Sequence, residues 1–332
     1  MSRSAAVTPA GASGRATDRA TARQRFVAGA VSGASWLACR LPEGLLHELT
    51  DLVGELWYRL DSTRAAQARR NLQRVAGYLA EVGLADARTR AAASDPKALE
   101  RLVRSAFRNY ARYYLDVARA PALTPTYLAE RLTVETPESF EAAFGSPGPR
   151  IFLGLHFGAI ELQAYVAAVH AEGPLTTPME TIDDPALQAY FVRTRGALGI
   201  HIVGLREARR EIMAALTRGE PVGIVGDRDL TGGGMPVRMF GAATSLPLGP
   251  ALVAIESGAP TFGVSVRRRP HGRYIGRLDP LTVPPTGSRR ERVTALLEVE
   301  ARWFEQQVAR APEQWWAVFF PIWPDLERAA ER

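Results

Sequence analysis

Two residues with the chemistry of an acid–base pair, His156 and Glu161, lie five positions apart behind an apolar run at residues 151–154. The run and Gly158 predict a strand that ends before His156, a turn, and a helix that begins near Glu161. A carboxylate that holds one ring nitrogen as a donor leaves the other nitrogen free to take a proton from a hydroxyl group. The pair therefore indicates a transferase or hydrolase acting on an alcohol. The alternative is a buried histidine bonded to backbone, with Glu161 solvated.

A second block of charged residues follows the apolar run at residues 222–225. Asp227, Arg228 and Asp229 come directly after that run and are followed by glycines at 232–234. At the carboxyl end of a strand, such a loop can bind a polar head group, close over a substrate or hold a divalent cation. The alternative is an ordinary surface turn, because Asp and Gly are common turn residues.

Two weaker features lie near these blocks. Residues 237–251 are rich in small residues, and their exposed backbone N–H groups could steady an oxyanion or a phosphate, although glycine and proline more often mark turns. Arg193 and Arg195 lie between the first two blocks and could pair with a phosphate. Most arginines in this chain are nevertheless expected to be solvated.

The elements that must position these residues follow from the apolar pattern. The first 120 residues are predicted to be mostly helical, with helices over 65–79 and 99–118. From residue 151 short apolar runs alternate with helical patterns at 160–170, 207–217 and 248–256, and a long helix is predicted over 289–309. Alternation of this kind predicts an α/β fold, with a central mixed sheet flanked by helices and a helical N-terminal layer.

The N-terminal region is predicted to have two parts. Residues 1–24 are rich in Ala, Ser, Thr, Gly and Arg without apolar periodicity, which indicates a disordered leader before a domain at 25–332. Within that domain, 25–120 form the helical layer and 151–332 the α/β core. An amphipathic helix is expected where leucines recur at three- and four-residue spacing: Leu45, Leu49, Leu52, Leu56 and Leu60. Val53 and Trp57 are expected to widen its apolar face. Such a helix can lie on a bilayer or pack on the core.

Composition limits the compartment and the partners. The 332 residues carry 41 basic and 35 acidic side chains, a net charge of +6. This balance suits nucleic acid, an acidic membrane surface or a phosphorylated substrate. The single cysteine, Cys39, excludes an internal disulfide and a four-cysteine zinc site, so a reducing cytoplasmic setting is expected.

Taken in order, the three blocks resemble the lysophospholipid acyltransferase-like superfamily of bacteria, in the branch of lipid A lauroyl and phosphatidylinositol mannoside acyltransferases. Its hallmark is a histidine and an acid separated by four residues, matched by His156 and Glu161, although aspartate is common at the second position. The segment 227–231, the run 240–251 and the ending 312–315 with Trp323 are closer to the mannoside acyltransferases. Segments 69–72 and 107–110 match the usual opening of the family.

The resemblance implies a peripheral enzyme at the cytoplasmic face of an anionic membrane. It would move a fatty acyl group from acyl-CoA or an acyl carrier protein to a hydroxyl of a lipid or glycolipid, with no metal and no cofactor. His156 would be the general base and Glu161 would orient it. Asp227 or Asp229 would give His156 a second carboxylate neighbour or bind sugar hydroxyls, and Arg228 and Arg195 would also bind substrate.

Two other functions are also compatible with parts of the sequence. The strand-end segment 225–231 resembles the nucleophile motif of haloacid-dehalogenase-type phosphatases, in which Asp227 would attack phosphorus beside magnesium. That motif normally opens its domain, and it leaves His156 and Glu161 without a role. A non-catalytic lipid-binding module is the other alternative. Nucleic-acid binding has only the charge in its favour.

Overall fold

The computed structural model describes residues 21–171, 173–230 and 232–330. The N-terminal layer is made of helices α1 (Ala22–Ala38), α2 (Glu43–Leu60), α3 (Ser62–Glu81), α4 (Ala87–Ser94), α5 (Pro96–Arg119) and α6 (Pro125–Arg131). A disordered leader was predicted for residues 1–24. Residues 1–20 lie outside the described residues, and residues 22–24 form the first turn of α1.

Strands and helices then alternate along the rest of the described chain. They are β1 (Leu132–Val134), α7 (Pro137–Phe144), β2 (Arg150–Gly154), α8 (Ile160–His170), β3 (Leu175–Met179), α9 (Pro185–Gly196), β4 (Ile200–Gly204), α10 (Ala208–Thr217), β5 (Pro221–Val225), β6 (Met235–Met239), β7 (Ala242–Leu246), α11 (Leu248–Ser257), β8 (Thr261–Arg269), β9 (Arg273–Pro280), α12 (Arg289–Ala309) and α13 (Pro324–Ala330). The helices predicted over 160–170 and 289–309 are confirmed at both ends.

Seven strands form one mixed sheet in the order β1-β9-β8-β2-β5-β3-β4. Neighbouring strands are parallel except β8 and β9, which form an antiparallel hairpin. Strand β2 is buried along its whole length because both faces of the sheet are covered. Ile151 and Leu153 face a cluster that includes α3, α5 and α12, whereas Phe152 faces α7 and α8. The predicted α/β fold with a mixed sheet between helices is confirmed.

Residues 237–246 of the third sequence block lie in a separate β-hairpin, and residues 248–251 begin α11. Strands β6 and β7 pair with each other, and Phe240 and Gly241 make the two-residue turn with φ of 51° and 75°. Two positive φ values in succession are typical of the type I′ turn that matches strand twist. Phe240 accepts this conformation because its ring is buried against Tyr78, Trp315 and Trp323. The backbone N–H groups of residues 237–246 expected to steady an oxyanion lie in this hairpin, and Phe240 N–H donates to Glu305. A role for the N–H groups of residues 248–251 stays a prediction.

The amphipathic helix α2 has two different faces. On one face Gly54 lies so close to α5 that a Cβ would be 2.6 Å from the Cα of Arg108, and Trp57 stacks on Tyr110. The other face is apolar and exposed: Leu45, Leu49, Leu52, Val53, Leu56 and Leu60. The helix therefore packs on the core and also presents an uncovered apolar stripe, which we call the leucine face. Trp57, predicted to widen that stripe, lies on the packed side.

One acidic residue of the core has no role in the site described below. Glu300 in α12 is 1% exposed, and its Oε2 has no hydrogen-bond partner among the described residues. Burial raises the pKa of Glu300 to about 8, from an ordinary value of 4.5. The folded protein therefore holds a proton that the unfolded chain releases between these two values.

We expect the free energy of unfolding to fall by about 1.4 kcal/mol per pH unit from this residue between roughly pH 4.5 and pH 8. The stabilising contribution is complete below the unfolded pKa and is lost as the pH rises through the folded pKa. Glu300→Gln should remove this slope, so the free energy of unfolding of the variant should rise relative to that of the wild type as the pH rises. Urea unfolding across this range measures it, with exposed Glu298→Gln on the same helix as control. Equal pH slopes for Glu300→Gln and wild type would contradict the assignment.

Candidate active site

The sheet register brings His156 and Asp227 together. Gly154 at the end of β2 pairs with Val225 at the end of β5, and the two side chains follow that pair by two residues each. The N–H of Gly226 continues the ladder by donating to the carbonyl of Gly154 at 3.0 Å. Both residues therefore lie at the carboxyl edge of the sheet, where open α/β sheets bind ligands.

The ring of His156 is held by a carboxylate through Nδ1. Nδ1 is 2.6 Å from Oδ1 of Asp227, and the backbone N–H of His156 donates to Oδ2 at 3.0 Å. An ionised carboxylate only accepts hydrogen bonds, so the Nδ1 proton lies toward Asp227 and Nε2 carries the free lone pair. The ring of Trp316 packs against the imidazole at a centroid distance of 4.3 Å. The arrangement leaves Nε2 able to accept a proton from a substrate.

Asp227 is completely enclosed. Its Oδ2 also accepts a hydrogen bond from the indole Nε1–H of Trp315 at 2.7 Å. Burial would raise the pKa of Asp227, but attraction to His156 and the hydrogen bonds from His156 and Trp315 outweigh it, so the pKa lies below its usual value of 3.8. The carboxylate is therefore ionised at neutral pH and can stabilise a positive charge on the imidazole.

Gly158 makes the turn behind the histidine. Its φ is +57°, and a Cβ at this position would be 2.0 Å from the carbonyl oxygen of Val266 in β8. Its N–H donates to the carbonyl of Gln314, while Trp316 N–H donates to the carbonyl of His156. The C-terminal aromatic segment thus fixes the backbone on both sides of His156. No role in the site was predicted for Trp315 or Trp316, although the ending at 312–315 that resembles the family contains Trp315.

Glu161 does not hold the ring of His156, contrary to the prediction. It lies in the first turn of α8, and its carboxylate pairs with the guanidinium of Arg195 in α9 through Oε1 and, at 3.2 Å, through Oε2. Glu161 is buried, with 4% of its side chain exposed, and Arg195 is largely buried, with 15% exposed. The turn at Gly158 separates Glu161 from the ring, and β5 supplies Asp227 in its place. The pair joins α8 to α9. The N–H groups of Arg195 that donate to Glu161 are therefore not available to a substrate in this structure.

Arg228 is a half-buried cation beside the pair. Its guanidinium lies 3.7 Å from the ring centroid of Phe320 and makes no hydrogen bond or ion pair with the described residues. Burial lowers the pKa of Arg228, and nearby Asp227 opposes that effect. A guanidinium stacked on an aromatic ring, with its N–H groups free, is well prepared to bind an anionic substrate group.

Asp229 organises its own loop. Its Oδ1 accepts from the N–H of Gly232, and its Oδ2 accepts from the N–H of Gly234 and from the hydroxyl of Ser245, at 2.8–2.9 Å. Contact between Asp229 and a substrate stays a prediction, and Thr231 lies outside the described residues. Among the residues that the structure describes, no three His, Cys, Asp or Glu side chains come together as a metal site.

The family follows from the chain as a whole. Residues 17–320 match the model of a family described as bacterial lipid A biosynthesis acyltransferase. The chain belongs to this family. As the resemblance of the three blocks predicted, it is an acyltransferase, and this is favoured over a phosphatase or a non-catalytic module.

Two curated relatives of this acyltransferase are named phosphatidylinositol mannoside acyltransferase. The protein of Mycolicibacterium smegmatis is 32% identical over 253 residues, which cover 75% of this chain and 76% of the relative. The protein of Mycobacterium tuberculosis is 28% identical over 290 residues, which cover 85% of this chain and 84% of the relative.

Proposed function

We propose that this acyltransferase moves a fatty acyl group from a thioester donor to a hydroxyl group of a phosphatidylinositol mannoside-like glycolipid. The buried Asp227–His156 pair carries the proposal, because it leaves Nε2 of His156 as a general base at the sheet edge. The names of the two relatives favour the mannoside acceptor. A lipid A-type acceptor is the second candidate, in keeping with the description of the family.

In the proposed reaction Nε2 of His156 takes the proton of the acceptor hydroxyl as its oxygen attacks the thioester carbonyl. Asp227 stabilises the imidazolium that forms. The tetrahedral intermediate then collapses, the C–S bond breaks, and the imidazolium returns the proton to the departing thiolate. The products are an ester and a free thiol, so the steps balance without a cofactor, and acyl-CoA or an acyl carrier protein is a substrate.

Arg228 is proposed to bind substrate beside His156. It follows Asp227 directly in the chain, and the ring of Phe320 beneath it packs against Trp316, which contacts the imidazole. Its free N–H groups suit the oxyanion of the intermediate or a phosphate of the substrate. Arg195 is proposed to act on substrate only through the position of α8, since Glu161 occupies its guanidinium.

The decisive test is acyl transfer from labelled palmitoyl-CoA, and from acyl carrier protein, to mannosylated phosphatidylinositol and to lipid A precursors. Wild type should acylate the mannoside, and His156→Ala should lose about 10²- to 10⁴-fold in rate, the usual contribution of a general base. His201→Ala is the matched control because His201 is the exposed residue of β4, and this variant should keep the wild-type rate. A His156→Ala variant as active as His201→Ala would refute the general-base role.

We further propose that the enzyme works as a peripheral protein at the cytoplasmic face of an anionic membrane. The leucine face of α2 supports this, because a contiguous exposed apolar stripe on a helix is typical of interfacial binding. Phe26, Trp36 and Leu37 extend exposed apolar surface onto α1. No helix of the described residues has both the length and the apolar character to cross a bilayer.

Replacing Leu52 and Leu56 by glutamine should weaken binding to anionic vesicles by about tenfold or more. Burying a leucine side chain contributes roughly 1.5–3 kcal/mol, and these two are largely exposed in the folded protein. Vesicle flotation measures the effect. Leu84→Gln is the control because Leu84 is as exposed as Leu56, at 53% and 54%, but lies outside the face. Equal losses in the two variants would exclude the leucine face as the docking surface.

A further inference from the structure

The hairpin between β8 and β9 concentrates positive charge. Residues 267–273 read RRRPHGR and contain no acid. Arg269 and Arg273 are direct cross-strand partners, and His271 between them has a φ of 60°. Like charges opposite each other on neighbouring strands are destabilising. The cross-strand pair of Arg269 and Arg273 therefore destabilises the hairpin, as is expected where the positive charge serves to bind a ligand.

The hairpin lines an open cleft of about 580 Å³ whose wall does not include His156. The start of α2, the middle of α5 and the end of α12 complete the wall. The arginines that line it are Arg112, Arg267, Arg268, Arg269 and Arg310, and the carboxylates are Glu48, Asp86 and Glu313. Gln314 is part of the wall, and its carbonyl accepts from Gly158 N–H. The cleft thus adjoins the turn that carries His156.

The carboxylates nearby leave part of this positive charge unbalanced. Glu135 is shared by Arg267 at 3.1 Å and Arg310 at 2.9 Å. Burial lowers the pKa of Arg267, and repulsion from Arg310 and Arg269 adds to that effect against the attraction of Glu135 and Glu313. Arg269 is exposed and forms no hydrogen bond or ion pair with the described residues. Arg112 pairs with Asp51, and Arg268 pairs with Asp116. Arg269 is therefore the one arginine of the cleft wall without a carboxylate partner among the described residues.

We propose that this cleft binds a phosphate-bearing group, with Arg269 as its free cation. Guanidinium groups bind phosphate oxygens through paired N–H donors, and several of them around one cleft suit a dianion or a diphosphate. The phosphate could belong to the phosphorylated end of an acyl thioester donor, which rests on the proposed function, or to an anionic lipid head group. Both sources share the same chemistry at the cleft.

The test compares wild type, Arg269→Glu and Arg290→Glu. Arg290 is exposed at the opposite end of α12 from Arg310, about 30 Å away at 1.5 Å per residue, so its variant has the same change of charge. Binding is measured with adenosine 3′,5′-bisphosphate by calorimetry, and with phosphatidylcholine vesicles with and without phosphatidylinositol by flotation. No acyl transfer is needed, so the result is independent of the catalytic role of His156.

Arg269→Glu should weaken phosphate binding about tenfold or more relative to Arg290→Glu, without lowering the thermal unfolding midpoint. Glutamate opposite Arg273 replaces a repulsive pair by an attractive one, so unfolding does not account for the loss. A loss with the bisphosphate alone assigns the cleft to the donor, and a loss with vesicles alone assigns it to a lipid head group. A loss with both indicates one phosphate site open to either. If neither probe distinguishes the two variants, the proposal is wrong.

Discussion

Asp227→Asn is expected to lower the rate of acyl transfer by about 10²- to 10⁴-fold while the protein stays folded. The carboxylate accepts from three donors: Nδ1 and the backbone N–H of His156, and Nε1 of Trp315. An amide has one acceptor oxygen, which will face the two donors at Oδ2. Its NH₂ group then faces Nδ1, so the imidazole proton moves to Nε2. With a proton on Nε2, the imidazole can no longer accept one from the substrate hydroxyl.

Single-turnover transfer at saturating donor measures this rate, and circular dichroism checks the fold. Asp229→Asn is the matched control, since that carboxylate lies two residues on and accepts from Gly232, Gly234 and Ser245. We expect its effect on rate to be much smaller, because the tautomer of His156 does not depend on it. An Asp227→Asn enzyme within a few-fold of Asp229→Asn would show that His156 does not need this partner.

Breaking the pair between Glu161 and Arg195 is expected to destabilise the protein by about 3–5 kcal/mol, because it leaves one buried charge uncompensated. Arg195→Met would leave Glu161 without its cation, and Glu161→Gln would leave the guanidinium without its carboxylate. The double variant Glu161→Gln/Arg195→Met removes both charges and should recover a large part of that loss. Chemical unfolding of the three variants measures the coupling.

The same double variant distinguishes the two roles considered for Glu161. If Glu161 holds α8 against α9, transfer per folded molecule should return toward wild type in the double variant. If Glu161 acts on His156, as the spacing alone predicted, the double variant should stay as inactive as Glu161→Gln. The exposed pair Arg302–Glu298 of α12 provides the control cycle, with a coupling expected at about 0–1 kcal/mol.

Local patterns in the sequence were sufficient for several elements of the α/β core. The helices over 160–170 and 289–309 have the predicted ends because their signals are local: a glycine turn before α8, and a capping box of Ser288 and Glu291 before α12. Strand β2 was visible as an apolar run. The β8–β9 hairpin was only half predicted, since the second strand alternates apolar and charged residues and carries little signal of its own.

The third block was misjudged for a related reason. Residues 237–246 suggested exposed N–H groups, yet they lie in the β6–β7 hairpin, whose turn depends on a phenylalanine with positive φ. Phenylalanine rarely adopts that conformation, and here distant aromatic rings hold it in place. No local pattern contains that information.

The sequence by itself determined the family, the α/β class and the position of His156 at the end of a strand, because these depend on residue types and spacing within short segments. Only the tertiary structure decided which carboxylate serves the histidine. His156 and Asp227 are 71 residues apart in the chain, and they meet because β2 and β5 are neighbours in one parallel register. Glu161 is near His156 in sequence, but the turn at Gly158 separates the two, and Glu161 pairs with Arg195. Strand order and register arise from the packing of the whole chain, so spacing alone favoured the wrong partner.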